Sequence, residues 1–175
     1  MTFPMTDLEH SPATLTRRDG QAQAVFVREF DHPPEALWAA LTDPSRVCDW
    51  LAPGEIELRQ GGAVRLDFGD SGIIIDSVVS AYEPGALLEY SWSAAGEPNR
   101  PVRWEVESLP VGRSRLRLTL RVPDVEDVAR SCAGWDAHLD MLAAALEGVP
   151  IRFPFPDFQR YRETYKKLAA APAGG

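Results

Sequence analysis

The chain is poor in the residues that most often build reactive or metal centres. Its 175 residues include two cysteines and three histidines. Cys48 and Cys132 stand far apart, with no Cys-x-x-Cys spacing, and read as reduced, packed thiols. His10, His32 and His138 fall into no His/Cys/carboxylate spacing that would hold a metal, so neither a metal site nor a cofactor is expected. Gly-x-Ser-x-Gly, a phosphate loop and a dinucleotide fingerprint are all absent. No apolar run reaches the ~18 residues of a membrane helix, which excludes membrane insertion by that route. The opening MTFPMTDLEH lacks a basic start and an apolar core, so a cytoplasmic protein is expected. A basic excess is also missing. The net charge of −8 repels phosphate and argues against DNA or RNA as a partner.

What is present is an ordinary globular composition, 45% apolar and 25% charged, in a length that suits one domain. Residues 1–20 are polar and broken by Pro4 and Pro12, and read as a flexible arm. Residues 21–148 read as the folded domain and 149–175 as a C-terminal extension. The segment from Gln21 to Phe30 has the β-branched and aromatic content of a first strand. Pro33 or Pro34 suits the first turn of a helix, and Leu37, Trp38 and Leu41 give it an apolar stripe. A second short helix starts at Pro44, with an oxygen of Thr42 or Asp43 to cap it, and ends at Trp50.

From Ile56 to Val122 the apolar period becomes two, the mark of half-buried antiparallel strands. A turn at Pro84-Gly85 sets Val79 opposite Tyr90 and Ala81 opposite Leu88, with Ile73, Ile75, Ser77, Val79 and Ala81 facing inward. A turn at Pro110 to Gly112 sets Val106 against Leu116 and Trp104 against Leu118. The same register pairs Glu107 with Arg115 and Glu105 with Arg117, so the arginines read as a solvated outer face. Asp67 and Asp76 fall on that outer face and give no paired-carboxylate site.

Asp124 is placed to cap a long helix carrying Val128, Cys132, Trp135, Leu139, Leu142 and Leu146 on one stripe, about 35 Å in all. Gly134 interrupts it, which points to close approach by a strand or a ligand, the strand being favoured. After the extended Ile151–Pro156, a last helix capped by Asp157 carries Phe158, Tyr161, Tyr165 and Leu168. It is too apolar to stay solvated, and the expected seat is the pair of short helices around residues 33–50, with a homodimer contact as the alternative. Residues 171–175 are expected to fray.

The order strand, two short helices, six strands, long helix resembles the START-like (SRPBCC) superfamily. Within it the chain is similar to homologues of the activator of the heat-shock-protein-90 ATPase. The residues that carry this are Pro34-Glu35, Leu37 through Pro44, Trp50, Gly61-Gly62, Glu83 through Trp92, and Gly134-Trp135. The resemblance implies an α+β helix-grip fold: a curved antiparallel sheet of about seven strands around a long C-terminal helix, with two short helices after the first strand. It also implies an apolar cavity between sheet and helix, walled by Trp38, Leu66, Phe68, Tyr90, Trp92, Trp104, Trp135, His138 and Leu139. The expected function is non-enzymatic binding of a small hydrophobic molecule, lipid-like or aromatic. A cyclase or dehydratase acting on a polyketide-like substrate through His138 and Tyr90 is the alternative. A co-chaperone role follows from the family name alone, since no basic, asparagine-containing contact motif stands near the N-terminus.

Overall fold

The computed structural model describes residues 11–170. In chain order it has β1 (Thr14–Arg18), β2 (Gln21–Phe30), α1 (Pro34–Thr42), α2 (Pro44–Val47), β3 (Gly54–Ile56), β4 (Ala63–Asp67), β5 (Ile74–Glu83), β6 (Leu87–Ser91), β7 (Pro101–Leu109), β8 (Arg113–Pro123), α3 (Val128–Leu146) and α4 (Phe155–Ala170). All neighbouring strands are antiparallel, in the order β1-β2-β8-β7-β6-β5-β4-β3. This is the α+β helix-grip fold, with eight strands where about seven were expected. The extra strand is β1, TLTRR, which the sequence places in the arm. Its residues are mostly exposed, so no apolar alternation announces it. The rest of the arm, residues 1–10, and the tail expected to fray, 171–175, lie outside the described residues.

The inner face of the sheet and the stripe of α3 close on each other because both are apolar. Leu66, Leu88, Leu116 and Leu118 from the sheet and Leu139 and Leu142 from α3 are fully buried. Two large rings fill the middle of this layer: Trp50 and Trp104 meet edge to face at 5.8 Å. The Trp50 indole N–H donates to the Ala40 carbonyl at 2.7 Å, which ties the α1–α2 corner to the core.

The β7–β8 register is the expected one throughout, with Val106 opposite Leu116 and Trp104 opposite Leu118. On its outer face Arg115 reaches Glu107 at 2.9 Å, as expected. Glu105 and Arg117 are also opposed, but the Glu105 carboxylate lies 3.6 Å from Arg103 instead. On β5 the alternation holds only in part. Val79 does face Tyr90, but a bulge at Ser80 then sets Ala81 opposite Glu89 and Tyr82 opposite Leu88. The extra residue turns Tyr82 inward, where its ring packs on Trp38 at 6.3 Å. Ile73 precedes the strand and is 53% exposed.

The long helix is shorter than expected. Asp127 caps it, its carboxylate accepting from the Arg130 N–H at 3.0 Å, and 19 residues span about 28 Å. Asp124 is occupied earlier, its N–H bonding the Gly20 carbonyl in the turn that leaves β8.

The C-terminal extension does not cover the short helices. It packs along α3 and the β1–β2 end of the sheet through a polar seam. Arg28 on β2 reaches Asp136 at 2.8 Å and Asp140 at 3.0 Å, both on α3. The Tyr165 hydroxyl donates to Asp136 and accepts from the Ala13 N–H at 2.8 Å. The Tyr161 hydroxyl donates to Asp140 at 2.6 Å. Asp136 is 1% exposed and Tyr165 fully buried, with Phe26 edge-on to the Tyr165 ring at 6.5 Å. Burial first, and the adjacent carboxylates second, hold both tyrosines in the neutral, donating form. Asp136 is buried and Asp140 partly so, and this seat supplies partners to both carboxylates.

Candidate functional site

Where α3, the β4–β5 connection and the start of the extension come together, the apolar layer opens into a cleft of about 650 Å³. One wall is Phe68 and Ile73 from the β4–β5 connection with Trp92 just past β6. The floor is one face of α3: Arg130, Ser131, Gly134, Trp135 and His138. The third wall is Phe153, Phe155 and Phe158 of the extension. The rings are interlocked edge to face: Phe68 on Trp92 at 5.7 Å, Trp92 on Trp135 at 4.8 Å, Phe153 on Phe155 at 4.9 Å. Phe155, 64% exposed, and Ile73 stand at the mouth.

His138 sits among these rings, edge to face with Phe68 and Phe153 and tilted against Trp135. Its Nδ1 lies 3.0 Å from the Trp50 carbonyl. A carbonyl only accepts, so Nδ1 carries the proton and Nε2 is left with a lone pair. Burial lowers the pKa of the ring below its ordinary 6.5, with the Trp50 contact opposing this more weakly, so the ring is neutral at pH 7. Among the described residues nothing bonds Nε2. The site is therefore an apolar recess with one imidazole acceptor.

Of the nine residues expected to wall a cavity, the structure brings four to this cleft: Phe68, Trp92, Trp135 and His138. Leu66, Tyr90, Trp104 and Leu139 are sealed inside the core layer. Trp38 packs against Tyr82, away from the cleft. The space expected between sheet and helix is filled by Trp50, Trp104 and Tyr90, and the opening lies beyond them at the edge of the layer. Tyr90 is fully buried, which raises its pKa, and it does not share the cleft with His138, so the His138–Tyr90 acid–base pair is not assembled. Phe153, Phe155 and Phe158 were not expected in the site. Their one signal in the sequence is an apolar content too high for a solvated tail.

Among the described residues no group of three His, Cys, Asp or Glu side chains could hold a metal. Cys48 is exposed and Cys132 buried, and burial pushes the Cys132 thiol up to about 12. Among the described residues no helix is long and apolar enough to cross a membrane.

The model of the family described as Activator of Hsp90 ATPase homolog 1-like protein matches residues 31–147. The chain belongs to this family. Its fold recurs in CalU16 from Micromonospora echinospora at a TM-score of 0.76 and 23% identity, over 91% of this chain and 98% of that one. The protein encoded by BPP1335 from Bordetella parapertussis aligns at 0.69 and 25% identity, over 95% of each chain. DynU16, a protein of the dynemicin biosynthetic locus, aligns at 0.66 and 30% identity, over 76% of this chain and 49% of that one. A search of the curated proteins found no match. The family match ends at residue 147, so the third wall of the cleft lies outside the part that defines the family.

Proposed function

We propose that this family member binds a small apolar molecule that carries a hydrogen-bond donor, and that it holds this molecule in the cleft between Trp92, α3 and the extension. The observation behind this reading is the meeting of aromatic rings, most of them partly buried and Phe155 exposed, around an imidazole whose Nε2 has no partner among the described residues. The rings supply apolar contact without direction, and Nε2 of His138 supplies orientation. The similarity to DynU16, from the dynemicin biosynthetic locus, is consistent with such a role. A second reading, an acid–base enzyme of the cyclase type, rests on the same nitrogen, because a neutral imidazole in an apolar recess is a competent general base. Binding is preferred because the described residues that line the cleft include no carboxylate to pair with His138.

Native mass spectrometry of the purified protein should reveal a co-purified small molecule. Titration followed by tryptophan fluorescence should show 2-naphthol binding about fivefold more tightly than 2-methoxynaphthalene, which cannot donate; that ratio corresponds to ~1 kcal/mol for one hydrogen bond. Phe155→Ala should weaken both ligands while changing stability by less than ~0.5 kcal/mol, because its ring is mostly solvated. If the purified protein carries nothing and neither naphthalene binds, the cleft is not a binding site.

A further inference from the structure

The long helix carries a glycine that neither its backbone nor its packing explains. Gly134 lies in the middle of α3 with helical neighbours on both sides, and glycine is the poorest helix former after proline. It is not among the residues with a positive φ, so no turn requires it. Nor does a neighbouring strand. A Cβ added at Gly134 would meet no heavy atom within 4 Å, whereas one at Gly54 would strike the Arg65 carbonyl at 2.0 Å and one at Gly62 the Glu57 carbonyl at 2.1 Å. The expectation that a strand approaches the helix at this point is therefore overturned. The space that Gly134 keeps clear is space in the cleft, since it lines the floor together with Trp135 and His138. His138 is four residues further along and so lies on the same face of the helix.

Resting on the binding role proposed above, we infer that Gly134 is the seat of the ligand, and that the ligand is a flat ring system lying face-on against the bare helix backbone. A ring in van der Waals contact with the Gly134 Cα, at ~3.5–4.0 Å, occupies the layer into which a side chain would project. The side walls suit such a guest. Trp92 and Trp135 on one side and Phe153 and Phe158 on the other present ring faces and edges, not the flexible aliphatic surface that suits an acyl chain. From that seat a hydroxyl on the ring lies along the helix toward Nε2 of His138. Gly134 is thus a specificity-determining position that excludes any guest too thick to approach the backbone, and it does so at a cost in helix stability.

The test compares wild type with Gly134→Ala and Gly134→Leu, measuring Tm together with Kd for 2-naphthol and for palmitate by tryptophan fluorescence. Gly134→Ala should raise Tm by about 2–4 °C, the gain expected from replacing a glycine inside a helix. It should weaken 2-naphthol at least tenfold and leave palmitate within about threefold. Gly134→Leu should abolish naphthol binding in a protein that still unfolds cooperatively. If Gly134→Ala leaves 2-naphthol within about threefold of wild type, or lowers Tm, the seat is elsewhere or the glycine is structural, and this inference is wrong while the binding role stands. If wild type itself binds neither probe, the binding role fails, and this inference falls with it.

Discussion

The C-terminal segment meets α3 twice, and the two contacts have opposite chemistry. At the seam, Tyr161 and Tyr165 give their hydroxyl protons to Asp140 and Asp136, and Arg28 closes both carboxylates from the sheet side. At the cleft, on another side of α3 from Asp136 and Asp140, Phe153 meets His138 edge to face, and Phe155 and Phe158 complete the wall beside Trp135. The seam is largely buried and both its carboxylates are partnered. The cleft is apolar and open, and its one imidazole acceptor is unmatched. A buried carboxylate left without partners is costly, so a seam of this kind works as attachment. An exposed ring such as Phe155 beside an unsatisfied acceptor does little for the fold by itself, which is why the cleft and not the seam is read as the functional surface. The same sixteen-residue helix and its lead-in serve both, so attachment on one side sets the shape of the wall on the other.

The sharpest way to break this contrast is at Asp136. Asp136→Ala removes the acceptor of the buried Tyr165 hydroxyl and one of the two carboxylates on Arg28, which keeps Asp140, and urea unfolding should show a loss of about 3 kcal/mol, two hydrogen bonds to a charged group. A loss below ~1 kcal/mol would mean that the seam is wet. Tyr165→Phe removes one hydroxyl bonded to a charged group and should cost about 1.5–3 kcal/mol in the same assay, with 2-naphthol affinity kept if seam and cleft are separable. The smallest effect belongs to His138. The fold lowers its pKa, so as pH drops below 6.5 the unfolded chain takes up a proton that the native state resists. Stability is therefore flat above that pH on account of this ring and declines below it, by no more than about 1.4 kcal/mol per pH unit. In His138→Phe this share of the decline should disappear. An unchanged slope would mean the ring is solvated in the native state and the cleft wetter than described.

Much of the fold was legible because several local rules agreed at the same residues. In β7 and β8 the turn, the apolar alternation and the charge alternation all select one register, and the structure has it. At β5 the guides were the turn and the alternation, with no charge pattern beside them, and neither can reveal a one-residue bulge that moves Tyr82 inward and leaves Ala81 opposite Glu89. The helix cap was misplaced by three residues because Asp124 and Asp127 are equally good capping side chains; the intervening turn, made by the Asp124 and Glu126 N–H groups, decides between them. The seam was missed for a related reason. Tyr161 and Tyr165 read as members of an apolar stripe, and Asp136 and Asp140 lie off the apolar stripe of α3 and carried no reading, so nothing in the spacing showed that each side held what the other needed. In the site, Phe68, Trp92, Trp135 and His138 share the inward face with Tyr90 and Trp104, and the pattern of a strand does not tell a ring at the edge of a layer from one in its middle. Phe153, Phe155 and Phe158 depend on where the extension lands, which only the seam determines.

The borders of the sheet carry a consequence of their own. Among the described residues the outermost strands are β1 and β3, and both are blunt. The first is five residues long, and the guanidinium of Arg17 on it reaches the Ala169 carbonyl at the end of α4 at 3.0 Å, which lays the last turn of that helix beside it. The second is three residues long, follows directly after Pro53 and begins at Gly54, whose backbone lies hard against Arg65. Neither border offers the long, flat row of unpaired amides on which a strand from another molecule could add. An eight-stranded sheet is thus kept from growing into a fibril, in part by the same helix that walls the cleft.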